Sequence, residues 1–174
     1  MLKRMIGASL LRASVYEEVE HDTNATLQAA LVVVAVSVAT ALGGYLTFGG
    51  NIILALVSGI IFGIVQWAVW AFLTYIVGTK IFHTENTHAN WGQMARGTAF
   101  AQTPGILLVF CFLPGVGPVI GVVAGIWKLA TMTIAVKQVL DYESIWRAVA
   151  VVIVGFLIVL VPVLIINAVA GVSP

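Results

Sequence analysis

A lysine inside an apolar run is the residue of this sequence that most clearly could bind a ligand. Lys128 precedes Lys137 by nine residues, about 13 Å along an α-helix, whereas the hydrocarbon half-thickness of a bilayer is about 15 Å. A charge at that depth costs at least about 2.5 to 3.5 kcal/mol on insertion scales. The ammonium group therefore either extends towards the nearer membrane surface or belongs to a polar pocket.

Other polar groups fall at comparable depths in neighbouring apolar runs. The candidate polar pocket consists of Lys128, Gln102, Thr103, Pro104, Gln66 and Tyr75. The two amides, the threonine hydroxyl and a carbonyl freed by the proline can each accept a hydrogen bond from the ammonium group. Because the apolar runs contain no carboxylate, the expected ligand of such a pocket is an anion such as a lipid phosphate.

Motifs of the common enzyme classes are absent from the sequence. It contains no GxSxG, no HExxH and no Walker loop, so we predict no catalytic residues, no cofactor and no enzymatic activity. His83, Glu85 and His88 are close in sequence, but the HxExxH spacing fits no metal motif of fixed geometry. Solvated loop histidines need no such role, and we predict no metal site.

Composition indicates a membrane protein. Of 174 residues, 61% are apolar and 9% are charged, against about 25% charged residues in an ordinary soluble domain. The net charge of +1 gives no electrostatic basis for binding nucleic acid. The single cysteine, Cys111, excludes an intramolecular disulfide framework and a cysteine-based zinc site.

The elements that carry the pocket residues are predicted to be five membrane-spanning helices. Residues 23–79 form a charge-free run of 57 residues, enough for two spans of about 20 residues each. Gly49-Gly50-Asn51 marks the turn between them, and the segment 114–118, with two prolines and two glycines, marks a second hairpin. Pro104 is predicted to kink the third span. The predicted spans are about 27–48, 52–79, 93–113, 119–139 and 148–171.

Charge distribution sets the expected orientation. With five spans, all eight basic and all seven acidic residues belong to the side of the N-terminus. The positive-inside rule then places the N-terminus in the cytoplasm and the C-terminus outside. We therefore expect a multi-pass protein of a prokaryotic cytoplasmic membrane.

The N-terminal segment 1–25 is expected to lie at the inner interface, ahead of a single all-α membrane domain over 26–174. Leu2, Met5, Ile6 and Leu10 recur at helical spacing, which predicts a short amphipathic helix.

Two glycine patterns allow close helix packing. Gly59 and Gly63 form a GxxxG pair, and Gly117, Gly121 and Gly125 repeat the same step in the fourth span. Either stripe can pack within the chain or against a second copy, and both alternatives stay open.

Several segments together resemble the prokaryotic branch of the Yip1 domain family. The matching stretches are 16–20 with 26–31, 70–82, 99–104, 113–117, and 127–138. The resemblance implies a compact five-helix membrane domain with a cytoplasmic N-terminus and no established catalytic activity. Gln102-Thr103-Pro104 and Trp127-Lys128 match recurrent family positions of unknown use. Eukaryotic relatives have a longer cytoplasmic N-terminal region, so their contacts with small GTPases are not carried over.

Two functional hypotheses follow, and an intramembrane enzyme whose site matches no familiar motif is kept as a third alternative. In the first, the protein organises membranes or serves as an accessory subunit through helix packing, as a homo-oligomer or in a larger membrane complex. In the second, it binds a lipid, anionic by the charge argument above, or handles a small solute in the cytoplasm-facing pocket around Lys128.

Overall fold

The architecture was obtained as a computed structural model that describes the backbone of residues 1–169 and the side chains of residues 1–161. That part of the chain contains helices, turns and loops and no β-strand. The α-helices are α1 Leu2–Ser9, α2 Ala13–His21, α3 Ala25–Phe48, α4 Ile52–Ile76, α5 Trp91–Ala101, α6 Gly117–Val139 and α7 Ile145–Val169. A π-helical turn, Val77–Ile81, extends α4, and a 3₁₀-helix, Thr103–Phe112, follows α5. The predicted all-α fold is confirmed.

Three helices are long and apolar enough to cross a membrane: Ala25–Phe48, Ile52–Ile81 and Gly117–Val139. Within the part of α7 whose side chains are described, Ile145–Val161 is a shorter apolar helix. The predicted boundaries of spans one, two and four agree with these helices to within two residues. The last two residues of the predicted fifth span lie outside the described residues.

The turn between α3 and α4 is where the sequence predicts it. Gly49 and Gly50 have φ angles of 75° and 104°, which residues with a Cβ rarely adopt. The side chain of Asn51 then accepts a hydrogen bond from the backbone N–H of Leu54 at 3.1 Å. This N-cap satisfies one of the free donors at the start of α4.

The third span is not the kinked α-helix that the sequence predicts. Its α-helical part ends at Ala101, and the ten residues Thr103–Phe112 form a 3₁₀-helix with Pro104 in the first turn. Proline has no N–H to continue the α-helical pattern, and the N–H of Gly105 bonds the carbonyl of Gln102 at 2.8 Å. The helix also begins earlier than predicted, because Asn90 and Gln93 form a capping box ahead of Trp91.

The bundle has two distinct ends. The loop end carries the segments 82–90 and 140–144, and the turn end carries the two tight hairpins. At the loop end Thr87 Oγ1 donates to the carbonyl of Leu140 at 3.2 Å. The hydroxyl of Tyr142 lies 3.0 Å from the carbonyl oxygens of both Gly78 and Phe82. These bonds hold the ends of α4 and α6 together.

The N-terminal segment folds as two helices that pack against the bundle. Met5, Ala8, Tyr16 and Val19 are buried, in contacts of α1 and α2 with α5 and α6. The predicted amphipathic helix is present as α1, and three of its four apolar positions, Leu2, Ile6 and Leu10, are exposed. The fourth, Met5, faces the protein. The helix α2 is not part of the sequence prediction.

The glycines of α4 pack within the chain. A methyl group added at Gly59 would lie 2.8 Å from Cβ of Ala41 on α3, and one added at Gly63 would lie 2.9 Å from Cβ of Ser37. Gly117, at the start of α6, lies against the backbone of Cys111.

The other two glycines of α6 are less crowded. Among the described residues, a methyl group at Gly121 would meet only the sulfur of Cys111, 3.8 Å away, and one at Gly125 would meet no atom within 4 Å.

Candidate functional site

A cavity of about 320 Å³ lies where α4, α6, α7 and the start of the 3₁₀-helix meet. The helix α7 contacts both α4 and α6, and the cavity occupies the space between them. Its lining residues come from α4, α6, α7 and the junction that precedes the 3₁₀-helix: Gln66, Trp67, Trp70, Gln102, Gly125, Lys128, Leu129, Met132 and Phe156.

Three polar side chains of the cavity lie at the same depth. Lys128 is the central residue of α6, Gly117–Val139, about 16 Å from either end. Gln102 follows α5, which begins at Trp91, so it also lies about 16 Å from the loop end. Gln66 lies at the middle of the apolar helix Ile52–Ile81, fifteen positions from its loop end. All three therefore lie about midway along their helical segments, and the half-thickness of a bilayer is about 15 Å.

The stem of Lys128 is packed against the 3₁₀-helix. A methyl group added at Gly105 would lie 3.4 Å from Cδ of Lys128 and 2.8 Å from the side chain of Val36. A small residue is therefore required at position 105, because the missing side chain leaves space for the methylene groups of Lys128. Lys128 itself is half-buried, and the hydrogen bonds and ion pairs found among residues 1–161 include none to its ammonium group.

The two tryptophans of the cavity wall are hydrogen-bond donors only. The indole of Trp67 donates to the carbonyl of Ala95 at 3.0 Å. The buried indole N–H of Trp70 has no acceptor in the described part of the chain. None of the lining residues found within 1–161 is acidic. The positive charge of Lys128 thus faces a space that contains neutral amides but no carboxylate.

The remaining wall is apolar and reaches the outer surface of the bundle. Leu129 and Phe156 are 51% and 50% exposed, and Gln66 is exposed beside them. In a membrane this surface faces lipid. Met132, deeper in the wall, is only 7% exposed.

The structure brings together half of the sequence-predicted pocket residues. Gln66, Gln102 and Lys128 share the cavity, whereas Thr103, Pro104 and Tyr75 do not line it. The hydroxyl of Thr103 is occupied by the carbonyl of Phe100 at 2.7 Å. Pro104 is buried at the start of the 3₁₀-helix, and Tyr75 packs against the bundle core.

The sequence analysis does not identify five apolar or aromatic residues of the cavity lining, and it places one lining glycine only among the helix-packing residues. A helical stripe drawn from the polar residues would find some of them, because Trp70 follows Gln66 by four positions and Met132 follows Lys128 by four. Gly125 is predicted as a packing residue but lines the cavity. Phe156 has no such signal, since its place depends on where α7 packs.

A second polar cluster lies at the loop end. Arg96 donates from Nε to the carbonyl of Val19 at 2.9 Å and from Nη2 to the carbonyl of Glu20. Its Nη1 is 3.4 Å from the hydroxyl of Thr26. A buried arginine therefore satisfies carbonyls at the C-terminus of α2, where a positive charge also suits the helix dipole.

The carboxylate of Glu20 is buried in the same cluster. Glu20 is 3% exposed, and its Oε2 has no hydrogen-bond partner among the described residues. Burial raises the pKa of Glu20 to about 7, helped by the negative charges of Asp141 and Glu17 and opposed by His21 and Arg96. His21 Nδ1 lies 3.3 Å from Glu20 Oε1.

A polar surface pocket of about 530 Å³ separates the two loops of the loop end. His83 and Glu85 line it, and His88 does not. Residues 1–161 contain no group of three or more His, Cys, Asp or Glu side chains arranged to hold a metal ion.

A sequence model described as the Yip1 domain matches residues 11–166 of the chain. The chain belongs to the Yip1 domain family. No curated protein and no solved structure gives a significant match. The Yip1 domain thus covers the cavity, α2 and the loop-end cluster. With its apolar helices, the protein is a multi-pass membrane protein of this family.

Proposed function

We propose that this Yip1 domain protein binds a small amphipathic or polar ligand in the cavity between α4, α6 and α7. The single observation that carries the proposal is the position of Lys128. It is central in a membrane-length helix, it lines a cavity of ligand size, and the lining contains no counter-charge. Ligand sites occupy about 300 to 1,000 Å³. A ligand that accepts hydrogen bonds would reduce the cost of holding the ammonium group there.

The proposal includes five membrane crossings with the N-terminus in the cytoplasm. The broken third span supports this count, because eleven α-helical and ten 3₁₀ residues together rise about 36 Å, more than the roughly 30 Å hydrocarbon core. The basic residues support the orientation, as in the sequence prediction. We place the protein in a prokaryotic cytoplasmic membrane on the same grounds.

Catalysis is not part of the proposed function. Among the described residues that line the cavity, Lys128 is the one with a titratable side chain. Nucleophilic or acid–base chemistry generally needs a second group to activate or orient the first.

A second candidate function is that of an organising or accessory subunit. One observation favours it: within residues 1–161, little lies beside Gly121 and nothing beside Gly125, and small residues one helical turn apart permit a second helix to approach closely. The corresponding support from α4 is weaker, because Gly59 and Gly63 are occupied by α3.

The test places a bulky side chain in the cavity at a position where an added Cβ meets no described atom within 4 Å. Gly125→Phe projects a ring into the space that Gly125 lines, whereas Gly44→Phe, on α3, also enters open space but away from the cavity. Wild type and both variants are extracted gently from their own membrane, and native mass spectrometry records bound small molecules and protein partners.

We expect wild type and Gly44→Phe to retain a bound ligand that Gly125→Phe loses. A chain that carries no ligand in any of the three samples but is recovered in a larger protein complex would contradict ligand binding. That result would instead support the accessory-subunit function.

A further inference from the structure

We propose that the ligand of this cavity is an anionic phospholipid that enters sideways from the bilayer and places its phosphate beside Lys128. This inference rests on the proposed function and adds the ligand class and the route of entry. Three separate observations support it. Buried side chains close the route from the loop end, the rim of the cavity is exposed on the outer surface, and the cavity wall has a positive charge.

The route from the loop end is closed by buried apolar side chains. Between the cavity and that end, α6 contributes Val136 and Val139, which are 0% and 2% exposed. Leu140, also 0% exposed, fills the space over Gly78, so that a methyl group added there would lie 3.1 Å from its Cδ2. A water-borne solute would have to pass this layer. The packed layer leaves a solute from the loop end no free passage to the cavity.

The route from the bilayer is open. Gln66, Leu129 and Phe156 form a rim on the outer surface of the bundle, and each belongs to a different helix. A lipid can reach the cavity through this rim while its acyl chains stay among other lipids. The cavity volume of about 320 Å³ suits a head group and the first part of a chain rather than a whole phospholipid.

The charge of the wall selects the head group. The polar lining consists of the ammonium group of Lys128 and the amides of Gln66 and Gln102. An ammonium group donates three hydrogen bonds and accepts none, and it pairs with phosphate more strongly than with a neutral acceptor. A head group with a net negative charge brings the counter-charge that the wall lacks. A zwitterionic head group carries its own cation, for which the lining contains no carboxylate.

The experiment compares lipids that differ only in head-group charge. The purified full chain is delipidated and incubated with phosphatidylglycerol or phosphatidylcholine of identical acyl chains, and retained lipid is measured by native mass spectrometry. Inorganic phosphate is added as a competitor in a third arm. Lys128→Gln removes the charge while keeping a hydrogen-bonding chain, and Lys137→Gln removes a charge of the same helix outside the cavity.

We expect wild type and Lys137→Gln to retain phosphatidylglycerol roughly tenfold better than phosphatidylcholine, which corresponds to about 1.4 kcal/mol. In Lys128→Gln the preference should disappear. Inorganic phosphate should not displace the bound lipid from any of the three proteins. A preference for phosphatidylglycerol that survives in Lys128→Gln, or competition by inorganic phosphate, would overturn the proposal.

The outcomes also separate this proposal from the proposed function. Equal retention of both lipids, lost in Gly125→Phe, would overturn the anionic head group and leave ligand binding in the cavity intact. No retained lipid and no other retained ligand in the wild type would overturn both.

Discussion

The indole of Trp127 donates a hydrogen bond to the carbonyl oxygen of Ser9 at 2.7 Å, and the next residue of α6 is Lys128. Of these two adjacent residues, Trp127 therefore holds α1 against the bundle and Lys128 lines the cavity. Ser9 is the last residue of α1, so the bond satisfies a carbonyl that has no partner within the helix.

Removing this bond should loosen α1. Trp127→Phe keeps an aromatic ring but cannot donate, and a single net hydrogen bond contributes about 0.5 to 1.5 kcal/mol. We expect the backbone amides of Leu10 and Arg12, which bond carbonyls of α1, to exchange hydrogen roughly two to ten times faster. Hydrogen–deuterium exchange with mass spectrometry measures this directly.

The matched control is Trp146→Phe. Trp146 is the second residue of α7 and is 76% exposed, so its replacement should leave exchange in α1 unchanged. Equal effects of the two substitutions would show that the bond from Trp127 does not hold α1.

Docking of α2 should depend on pH through Glu20. Burial raises the pKa of this carboxyl from 4.5 to about 7 in the folded protein, so between these values the docked state binds more protons than the undocked one. Docking is therefore strongest at low pH, weakens as pH rises towards 7, and remains weaker above it. The charges facing Glu20 are His21 and Glu17 on α2, Arg96 on α5, and Asp141 after α6.

Limited proteolysis and hydrogen exchange of residues 13–21 at pH 6 and pH 8 measure this dependence. Wild type should be less protected at pH 8, and Glu20→Gln, which is neutral at both values, should be equally protected at both. Glu85→Gln, an exposed residue of the loop 82–90, is the control and should behave as wild type. A wild type with the same protection at both pH values would remove Glu20 as the cause.

Arg96 should be irreplaceable by lysine. Its guanidinium reaches two carbonyls at the C-terminus of α2 and the hydroxyl of Thr26, whereas a lysine ammonium is a point charge that cannot span them. Hydrogen bonds to charged groups contribute about 1.5 to 3 kcal/mol each. We expect Arg96→Lys to destabilise the protein by at least about 1.5 kcal/mol, measured by thermal unfolding in detergent.

Arg147→Lys is the comparison for this substitution. Arg147 is exposed at the loop end, and we expect no change in the midpoint of unfolding. Comparable losses in the two variants would mean that lysine is poorly tolerated at this end in general.

The parts of the fold predicted from sequence are those with local markers. Charges bound the apolar runs, and Gly49-Gly50-Asn51 carries its own turn chemistry, so α3 and α4 begin and end where expected. The break between α5 and the 3₁₀-helix has no such marker beyond Pro104. It is accompanied by a tertiary contact, the close approach of Gly43 to the backbone of Leu108, which an isolated segment does not reveal.

The same distinction applies to the cavity. The depths of Gln66, Gln102 and Lys128 follow from counting residues along helices, which is why their common level is predictable. The absence of Tyr75 and Thr103 from the lining depends on rotation about each helix axis and on local hydrogen bonding. Thr103 bonds the carbonyl of Phe100, an option open to any threonine in a helix.

Two glycine substitutions should separate packing within the chain from packing between chains. A methyl group at Gly63 would lie 2.9 Å from Cβ of Ser37, so Gly63→Ala should force α3 and α4 apart and cost about 1 to 3 kcal/mol, the usual range for overpacking. Gly125→Ala meets open space and should be neutral or slightly stabilising, because alanine favours helix. Thermal unfolding of the solubilised protein gives both values, and Ser37→Gly should partly rescue Gly63→Ala. If Gly63→Ala were neutral and instead altered the oligomeric state on size-exclusion chromatography with light scattering, this glycine pair would pack against a second copy rather than against α3.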